Sequence, residues 1–321
     1  FVADWYHKKT AGMLLSMPVP GYSGDSAPTG NLGDMLNQGI ELDLGYRNSA
    51  GDFNYHASIN ATYNKNTLTY LGDDAPSLYC SNHQTGQLTR GLVGLPFPYF
   101  YGFKSDGIFQ NMDEVKAYTN AEGNMIMPNA EPGDVRFVDI DGDGVIGDGD
   151  KTYIGKGIPD WVFGLNLGFD WKGLDFSILL QGQLGAQAYN VSRRIDLGAV
   201  NLPKYMLNRW TGEGTTNKYP KFEVGDATNY VVSDVWVEDA SFLRARNVQL
   251  GYTLPQNITK KFFVQRLRVY AQAENLFTLT RYQGCDPEVT GGNSSYGTEV
   301  GIDRGVYPQS RTFSVGVNLT F

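Results

Sequence analysis

A strict alternation of apolar and polar residues is the feature that most constrains how this chain can fold. It is clearest in the segment TFSVGVNLTF, where every second residue is apolar: Phe313, Val315, Val317, Leu319 and Phe321. The residues between them are small or polar. Because successive side chains of a β-strand point to opposite faces, this segment is predicted to be a strand with one apolar and one polar face.

Similar alternation recurs along the chain and predicts about eight strands in total. Counting the opening FVADWY, the other alternating segments lie at 1–6, 40–47, 53–64, 163–171, 174–181, 247–254 and 266–280. Several of them approach the roughly 9–11 residues that a tilted strand needs to cross a membrane. A soluble sandwich also alternates, so the pattern alone leaves both architectures open.

Connection lengths favour a barrel in a membrane over a soluble sandwich. Short connections lie at 48–52, 171–173 and 255–265, and long ones at 9–36, 70–159, 189–240 and 281–310. Soluble domains rarely contain unstructured loops longer than about 12–15 residues, whereas outer-membrane barrels combine short periplasmic turns with long extracellular loops. We therefore predict an all-β fold, a transmembrane antiparallel β-barrel, with a long extracellular loop region at 66–159.

Composition excludes several classes of function. The formal net charge is −8 and the Lys and Arg residues are scattered, whereas nucleic-acid binding needs a clustered basic surface. We therefore expect no nucleic acid partner. The sequence contains no nucleophile elbow, no phosphate-binding loop and no His-based metal cluster, so no enzymatic activity is expected either.

The segment 139–150 has the ligand spacing of a calcium loop. Carboxylates at positions 1, 3, 5 and 12, a backbone carbonyl at position 7 and a Gly at position 6 curl such a loop around a hard cation. The predicted ligands are Asp139, Asp141, Asp143, the Val145 carbonyl, Asp150 and, as a rival to Asp150, Asp148. Position 12 is Asp rather than Glu, which makes bidentate closure less assured.

Mutual repulsion among these carboxylates favours a bound cation. We predict a structural Ca²⁺, or Mg²⁺, that rigidifies a long outer loop. The alternative is an Asp- and Gly-rich turn in which the carboxylates cap backbone amides.

Four segments together carry a resemblance to a known family. They are GDVRFVDIDGDGVIGDGDKTYIGKGIPDWVFGLNLGFDWKGLDFSILLQGQLG, VWVEDASFLRARNVQLGYTLPQ, PYFYGFKSDGIFQNMDEV and RTFSVGVNLTF. In this order they resemble the C-terminal barrel region of SusC/RagA-type TonB-dependent outer-membrane transporters. The resemblance extends through nearly the whole of residues 1–321.

This resemblance implies a barrel of about 22 strands in the outer membrane of Bacteroidota, surrounded by lipid. It also implies an N-terminal plug, a TonB-contacting segment, a SusD-like surface lipoprotein as partner, and uptake of oligosaccharides or oligopeptides. The plug and the TonB-contacting segment have no counterpart in this sequence. The chain opens within an alternating pattern and without Met, so we expect it to be part of a longer protein, supplying its last eight or so strands.

In such a barrel, Cys80 and Cys285 would both lie in outer loops, where a disulfide can persist. We therefore expect either a Cys80–Cys285 bond or two separate thiols. The long connections also contain many aromatic residues: Phe97, Tyr99, Tyr101, Trp210, Tyr219, Trp236, Tyr282, Tyr296 and Tyr307. These could bind substrate, but packing between loops is the favoured interpretation, and no substrate-binding residue is assigned.

Two other functions remain open from the sequence. The chain could form a small self-contained outer-membrane barrel that acts as a receptor or adhesin. It could also be a soluble, calcium-dependent glycan-binding β protein, which the alternation of short and long connections disfavours.

Overall fold

The structure, a computed structural model, describes residues 1–16, 29–72, 77–83, 86–191, 197–225, 228–289 and 297–321. The described strands are, in chain order, β1 (Val2–Ser16), β2 (Thr29–Ala50), β3 (Phe53–Leu71), β4 (Leu78–His83), β5 (Gly86–Gly91), β6 (Tyr99–Phe103), β7 (Ser105–Ile108), β8 (Val135–Phe137), β9 (Lys151–Gly155), β10 (Trp161–Trp171), β11 (Leu174–Leu184), β12 (Gln187–Asn190), β13 (Val237–Asp239), β14 (Phe242–Thr253), β15 (Arg266–Glu274), β16 (Thr278–Thr280), β17 (Ile302–Asp303) and β18 (Thr312–Thr320). Strands dominate, which confirms the all-β prediction.

Helical structure is confined to short segments. Helix α1 spans Met112–Ala117 and α2 spans Gln256–Thr259, with single 3₁₀ turns elsewhere. In the described ranges, no helix combines the length and the apolar character needed to cross a membrane.

Eight strands form one large antiparallel sheet, which we call the wall sheet. Its order is β1–β2–β3–β10–β11–β14–β15–β18. The short strand β16 pairs with the first residues of β14, Phe242 to Arg244. Each strand therefore neighbours the next wall strand along the chain. The eight strands predicted from alternation are all present in this sheet.

Two wall hairpins are closed by two-residue turns. Ala50 pairs with Phe53 across a turn whose Gly51 has a φ of 60°. Trp171 pairs with Leu174 across Lys172 and Gly173, which both have positive φ. Such turns match the right-handed twist of paired strands, and they explain why the connections at this end of the sheet are short.

One face of the wall sheet carries the apolar residues and remains open to its surroundings. On the last strand the exposed fraction is 81% for Val315 and 70% for Phe313, and Leu44 and Leu250 are also exposed. In a soluble sandwich a second sheet would cover this face. No second sheet covers it in the described chain, and an apolar band of this kind is what a barrel presents to lipid.

The first three strands are longer than the sequence predicts. The segment 9–36 was expected to be a loop, but β1 continues to Ser16 and β2 begins at Thr29; residues 17–28 lie outside the described ones. Likewise β3 runs to Leu71, inside the predicted loop region. The extension is stabilised by an apolar cluster of Leu15, Leu68, Leu71, Leu78 and Phe97.

The long connections are not unstructured, and they build what we call the loop layer. It contains a four-stranded sheet (β4–β5–β6–β9), a three-stranded sheet (β13–β12–β17) and a two-stranded sheet (β7–β8). A common core joins the four-stranded and the three-stranded sheet: Leu88, Phe100, Ile154, Tyr189, Val191, Met206, Val232, Trp236 and Ile302. These residues come from three different connections of the wall sheet, so the connections fold as one unit.

Candidate functional site

The acidic segment 139–150 lies between β8 and β9 in the loop layer. Carboxylate oxygens of Asp139, Asp141 and Asp143 lie within 4.8 Å of one another. Gly142 and Gly144 have φ values of 76° and 84°, which let the chain curl around these side chains. Three of the predicted ligands are thus brought together.

Backbone amides of the loop already bond to the same carboxylates. Asp139 accepts hydrogen bonds from the amides of Gly142 (2.7 Å) and Gly144 (2.9 Å). Asp141 accepts one from Asp143, and Asp143 one from Val145. A carboxylate has about four acceptor sites, so each of the three keeps capacity for a cation.

The other predicted carboxylates are placed differently. Asp150 is fully buried, and its two oxygens accept hydrogen bonds from the amides of Ile140 (2.6 Å) and Gly147 (2.7 Å). Asp148 points outward and pairs with Lys151 at 2.6 Å; this hydrogen bond lowers the pKa of Asp148. Asp150 therefore holds the two ends of the loop together, while Asp148 lies outside the carboxylate group.

The donor set fits a hard cation. Three clustered carboxylates repel one another unless a cation or protons compensate them, and oxygen ligands suit Ca²⁺ or Mg²⁺. Asp139, Asp141 and Asp143 would hold the ion. The Val145 side chain points to solvent, and its amide supports Asp143.

Of the two alternatives left open for the cysteines, the structure has separate thiols: Cys80 and Cys285 are both free. The Cys80 thiol packs against the apolar cluster of the extended strands and donates to the Leu78 carbonyl. Cys285 is exposed in the connection between β16 and β17. The two residues belong to different parts of the loop layer. Their shared location in outer connections therefore did not bring the two thiols together.

The two thiols are expected to differ in reactivity. Burial raises the pKa of Cys80 to about 12, so its thiolate is scarce at neutral pH, whereas Cys285 is accessible. In the folded full-length protein, a maleimide should label Cys285 quickly and Cys80 slowly. Peptide mass mapping after unfolding without reductant should then find Cys80 fully alkylatable. Resistance of both residues to alkylation until a reductant is added would contradict this prediction.

The aromatic residues of the connections fall into two groups. Trp236 and Phe97 are buried in apolar clusters, and Tyr282 donates to the buried Asp303, so these pack the loop layer as expected. Tyr99, which is buried, and Tyr101, which is half-buried, lie on one face of β6, while Tyr307 is exposed. Tyr296 lies outside the described residues. Trp210 and Tyr219 are partly or fully buried beside the segment 204–208.

A buried ion network fastens the connection after β16 to the wall sheet. Arg244 on β14 is 2% exposed and pairs with Asp286 at 2.7 Å and Glu288 at 3.0 Å. Arg246 pairs with the same Glu288 at 2.6 Å and donates to Gln181 on β11. We call these four charged residues the ion latch.

Sequence reasoning missed the ion latch. A register shift opposite Leu179 and Leu180 inserts one extra residue into β14. Asn247 pairs with Leu179 on one side of this β-bulge, and Arg244 pairs with Gln181 on the other side. The bulge therefore turns the Arg244 side chain onto the polar face of the sheet. The only signal was the pair of arginines in RAR within a strand that otherwise carries uncharged polar residues.

The remaining polar face of the wall sheet is lined by amides and further charges. Arg268 on β15 donates to Asp175 on β11 at 2.9 Å and to Gln249 on β14 at 2.8 Å. Near the short turns, Arg47, His56 and Asp170 line a polar cavity of about 630 Å³. This face suits water, in contrast to the apolar face behind it.

Comparison with known proteins identifies relatives over almost the entire chain. No family model matches the sequence. TonB-dependent receptor P3 of Formosa agariphila is 31% identical over 326 residues, covering 99% of this chain and 32% of the receptor. TonB-dependent receptor SusC of Bacteroides thetaiotaomicron is 29% identical over 331 residues, covering 99% of this chain and 30% of SusC.

Solved structures agree with these relatives. The RagAB peptide transporter matches with a TM-score of 0.76 and 27% identity, covering 99% of this chain and 33% of that chain. The RagAB peptide importer in its open-open state matches with a TM-score of 0.74 and 25% identity, covering 99% and 32%. The chain thus spans about a third of the length of the relatives it matches.

These relatives are receptors and transporters, not enzymes, which confirms the prediction that the chain is not an enzyme. The strand order, the open apolar face and the structured loop layer all lie within the matched region. Over almost its entire length the chain is therefore similar to SusC- and RagA-type TonB-dependent transporters, which confirms the resemblance that its sequence motifs indicated.

Proposed function

We propose that this chain forms about eight wall strands and the outer loops of an outer-membrane importer. The observation that carries the proposal is the match of the whole chain, wall sheet and loop layer together, to a solved transporter. In this arrangement the apolar face of the wall sheet contacts lipid and the polar face lines the interior. The loop layer lies at the cell surface, where substrate arrives.

Energy for uptake would come from TonB through a plug region elsewhere in the full-length protein. A SusD-like surface lipoprotein would cover the loop layer, and the cargo would be oligosaccharides or oligopeptides. The chain's own residues bind and guide this cargo; the ion latch keeps one outer connection in a fixed place on the wall. No residue forms or breaks a bond.

Uptake by the native host tests this proposal. Cells that carry the full-length protein should accumulate radiolabelled oligosaccharides or oligopeptides, and cells that lack it should not. Accumulation should also stop when TonB is deleted or when a protonophore collapses the proton gradient. Uptake that persists without TonB would contradict the importer function.

Association with the lipoprotein is tested in the same strain. The full-length protein, extracted in detergent from outer membranes, should co-purify with a lipid-modified surface protein. If the full-length protein purifies without any lipoprotein and the cells still show full uptake, the proposed lipoprotein partner is wrong.

We also propose a structural role for the acidic loop. A Ca²⁺ or Mg²⁺ ion held by Asp139, Asp141 and Asp143 would neutralise their repulsion and stiffen the approach to β9. Because β9 pairs with β6 in the four-stranded sheet, a stiffer loop would stabilise that sheet. Support comes from the closeness of the three carboxylates and their remaining acceptor sites.

A further inference from the structure

An apolar cavity of about 370 Å³ lies beside the acidic loop. Its walls include Phe103 of β6, Phe137 of β8, Ile126, Ala130, and Val145 and Ile146 of the acidic loop. Ile126, Ala130 and Phe137 are buried, whereas Val145 is 60% exposed and so forms part of the rim. The cavity therefore has an apolar floor and an edge that solvent can reach.

The chemistry of the lining selects what can enter. Among the lining residues that the structure describes, only Asn129 and Thr228 have polar side chains. A sugar ring carries hydroxyl groups around its edge, and each hydroxyl buried without a partner costs about 1–3 kcal/mol. An aliphatic or aromatic side chain instead gains by burial, so the cavity suits an apolar side chain rather than a sugar.

A row of aromatic side chains leads to this cavity. Tyr99, Tyr101 and Phe103 alternate along β6 and share one face, with the Tyr99 and Tyr101 rings 6.4 Å apart. Phe103 is both the end of this row and a wall of the cavity, where its ring lies 5.3 Å from that of Phe137. Tyr99 is only 2% exposed and supports the row from within the layer, so the accessible part runs from Tyr101 to Phe103, about 7 Å or two extended residues.

Neighbouring strands widen the row into a tyrosine face. Arg90 of β5 stacks over Tyr101 at 4.5 Å and over Tyr79 of β4 at 5.1 Å. Tyr153 of β9 lies 5.6 Å from Tyr99. Tyr79 and Tyr153 are exposed, and the phenol groups of Tyr79, Tyr101 and Tyr153 hydrogen-bond to no other residue within the described ranges. We call Tyr79, Tyr101 and Tyr153, together with Arg90 and Phe103, the tyrosine face.

The tyrosine face can contact a peptide without pairing backbones. Strand β6 is bonded on both sides, to β5 and to β9, so no strand can be added at this position. Tyrosines offer flat apolar area together with a hydroxyl group, and they lose little conformational entropy on binding; surfaces that bind peptides and proteins use them for this reason. Their free hydroxyls can bond to peptide amides and carbonyls regardless of sequence.

We infer that the tyrosine face and the apolar cavity form one oligopeptide subsite, in which an aliphatic or aromatic side chain of the peptide enters the cavity. This inference rests on the proposed function and narrows its cargo. The tyrosine face would supply contacts shared by all peptides, and the cavity would supply a preference for one apolar residue.

The test uses the full-length transporter purified with its lipoprotein partner. Two sets of synthetic peptides of one length are mixed with it; one position is fixed as Phe in the first set and as Ser in the second. Retained peptides are counted by mass spectrometry. The Phe set should be enriched about tenfold or more over the Ser set, because burial of one large apolar side chain contributes at least that ratio.

Two substitutions remove the preference in different ways. Ala130→Trp fills the cavity from its floor, and Val145→Trp covers it from the exposed rim without disturbing buried residues. Each should reduce the enrichment to about onefold, while total peptide retention persists through the tyrosine face. Leu207→Trp, at an exposed position that does not line the cavity, is the matched control and should keep the full enrichment.

The outcomes separate the inference from the proposed function. Retention of both sets without preference, or a preference that survives both cavity variants, would overturn the subsite. Retention of no peptide by a protein that imports oligosaccharides through TonB would also overturn it, yet leave the importer function standing. Loss of all TonB-dependent uptake would instead count against the importer function itself.

Discussion

Replacing Arg244 with Met should release the connection after β16 from the wall sheet and destabilise the loop layer by about 3–5 kcal/mol. Arg244 is 2% exposed and bonds to both Asp286 and Glu288; its loss leaves the buried Asp286 without its cation, whereas Glu288 keeps Arg246. A buried charge without a partner costs far more than the pair contributed. Limited proteolysis of the full-length protein in detergent, read by cleavage within 281–289, measures the effect.

The matched control is Arg304→Met. Arg304 pairs with Glu299 at 2.8 Å but is 40% exposed, and pairs at the surface contribute only about 0–1 kcal/mol. The control should therefore digest almost like the native protein. Equal protease sensitivity of the two variants would show that burial of the ion latch does not matter.

Acid should weaken the same contact. Burial alone would raise the pKa of Asp286, but hydrogen bonds from the Glu288 amide and the Arg244 guanidinium lower it below its ordinary value. A carboxyl group with a depressed folded pKa stabilises the protein fully above its unfolded pKa, about 3.9, and this contribution disappears as pH falls through the folded pKa. Asp286→Asn should remove that part of the acid dependence of protease cleavage within 281–289. If the variant and the native protein have the same pH profile of cleavage, Asp286 is not the group responsible.

Removing the cation from the acidic loop should produce the second largest effect. At a Ca²⁺ concentration of about 100 to 1,000 times the dissociation constant, binding stabilises the folded loop layer by about 2.7–4.1 kcal/mol. EDTA should therefore lower the temperature at which the loop layer unfolds and increase its cleavage by protease. Thermal unfolding of the full-length protein, followed with and without Ca²⁺, checks this expectation.

Two substitutions with equal charge change make the test specific. Asp139→Asn removes one of the three clustered carboxylates and should abolish the response to Ca²⁺. Asp148→Asn alters an exposed side chain that pairs with Lys151, and the response should persist. If EDTA changes nothing in the native protein, the loop is stabilised by its own amide hydrogen bonds, and the cation proposal fails.

The wall sheet could be predicted from sequence because burial on one face imposes a period of two. The eight alternating segments all became wall strands, and the turns at Gly51 and Gly173 were located as the short gaps between such segments. The extension of β1, β2 and β3 was missed, since segments such as TGNLGDMLNQG are rich in Gly and polar residues. Their pairing is stabilised by contacts with Leu68 and Phe97, which are distant in sequence.

The candidate sites also differ in whether they are built from one short segment or from segments that are distant in sequence. Spacing within a short segment predicted that Asp139, Asp141 and Asp143 would meet, because only local turns were needed. The contact of Arg244 with Asp286, the separation of Cys80 from Cys285 and the cavity beside Phe103 depend on how distant connections pack together. No local pattern encodes those contacts, so the sequence singled out the two cysteines but neither the ion latch nor the cavity.

The common core of the loop layer also implies an order of assembly. Trp236 packs with Phe100 from the connection before β10 and with Ile302 from the connection before β18, and Thr89 bonds to Thr298, 209 residues away. Wall hairpins such as β10–β11 join segments that are adjacent along the chain, and they lose little entropy on closing. We therefore expect the wall to form first and the outer layer to close last. A chain stalled before β18 would leave the Trp236 cluster incomplete and exposed, which is the kind of surface that quality-control proteases recognise.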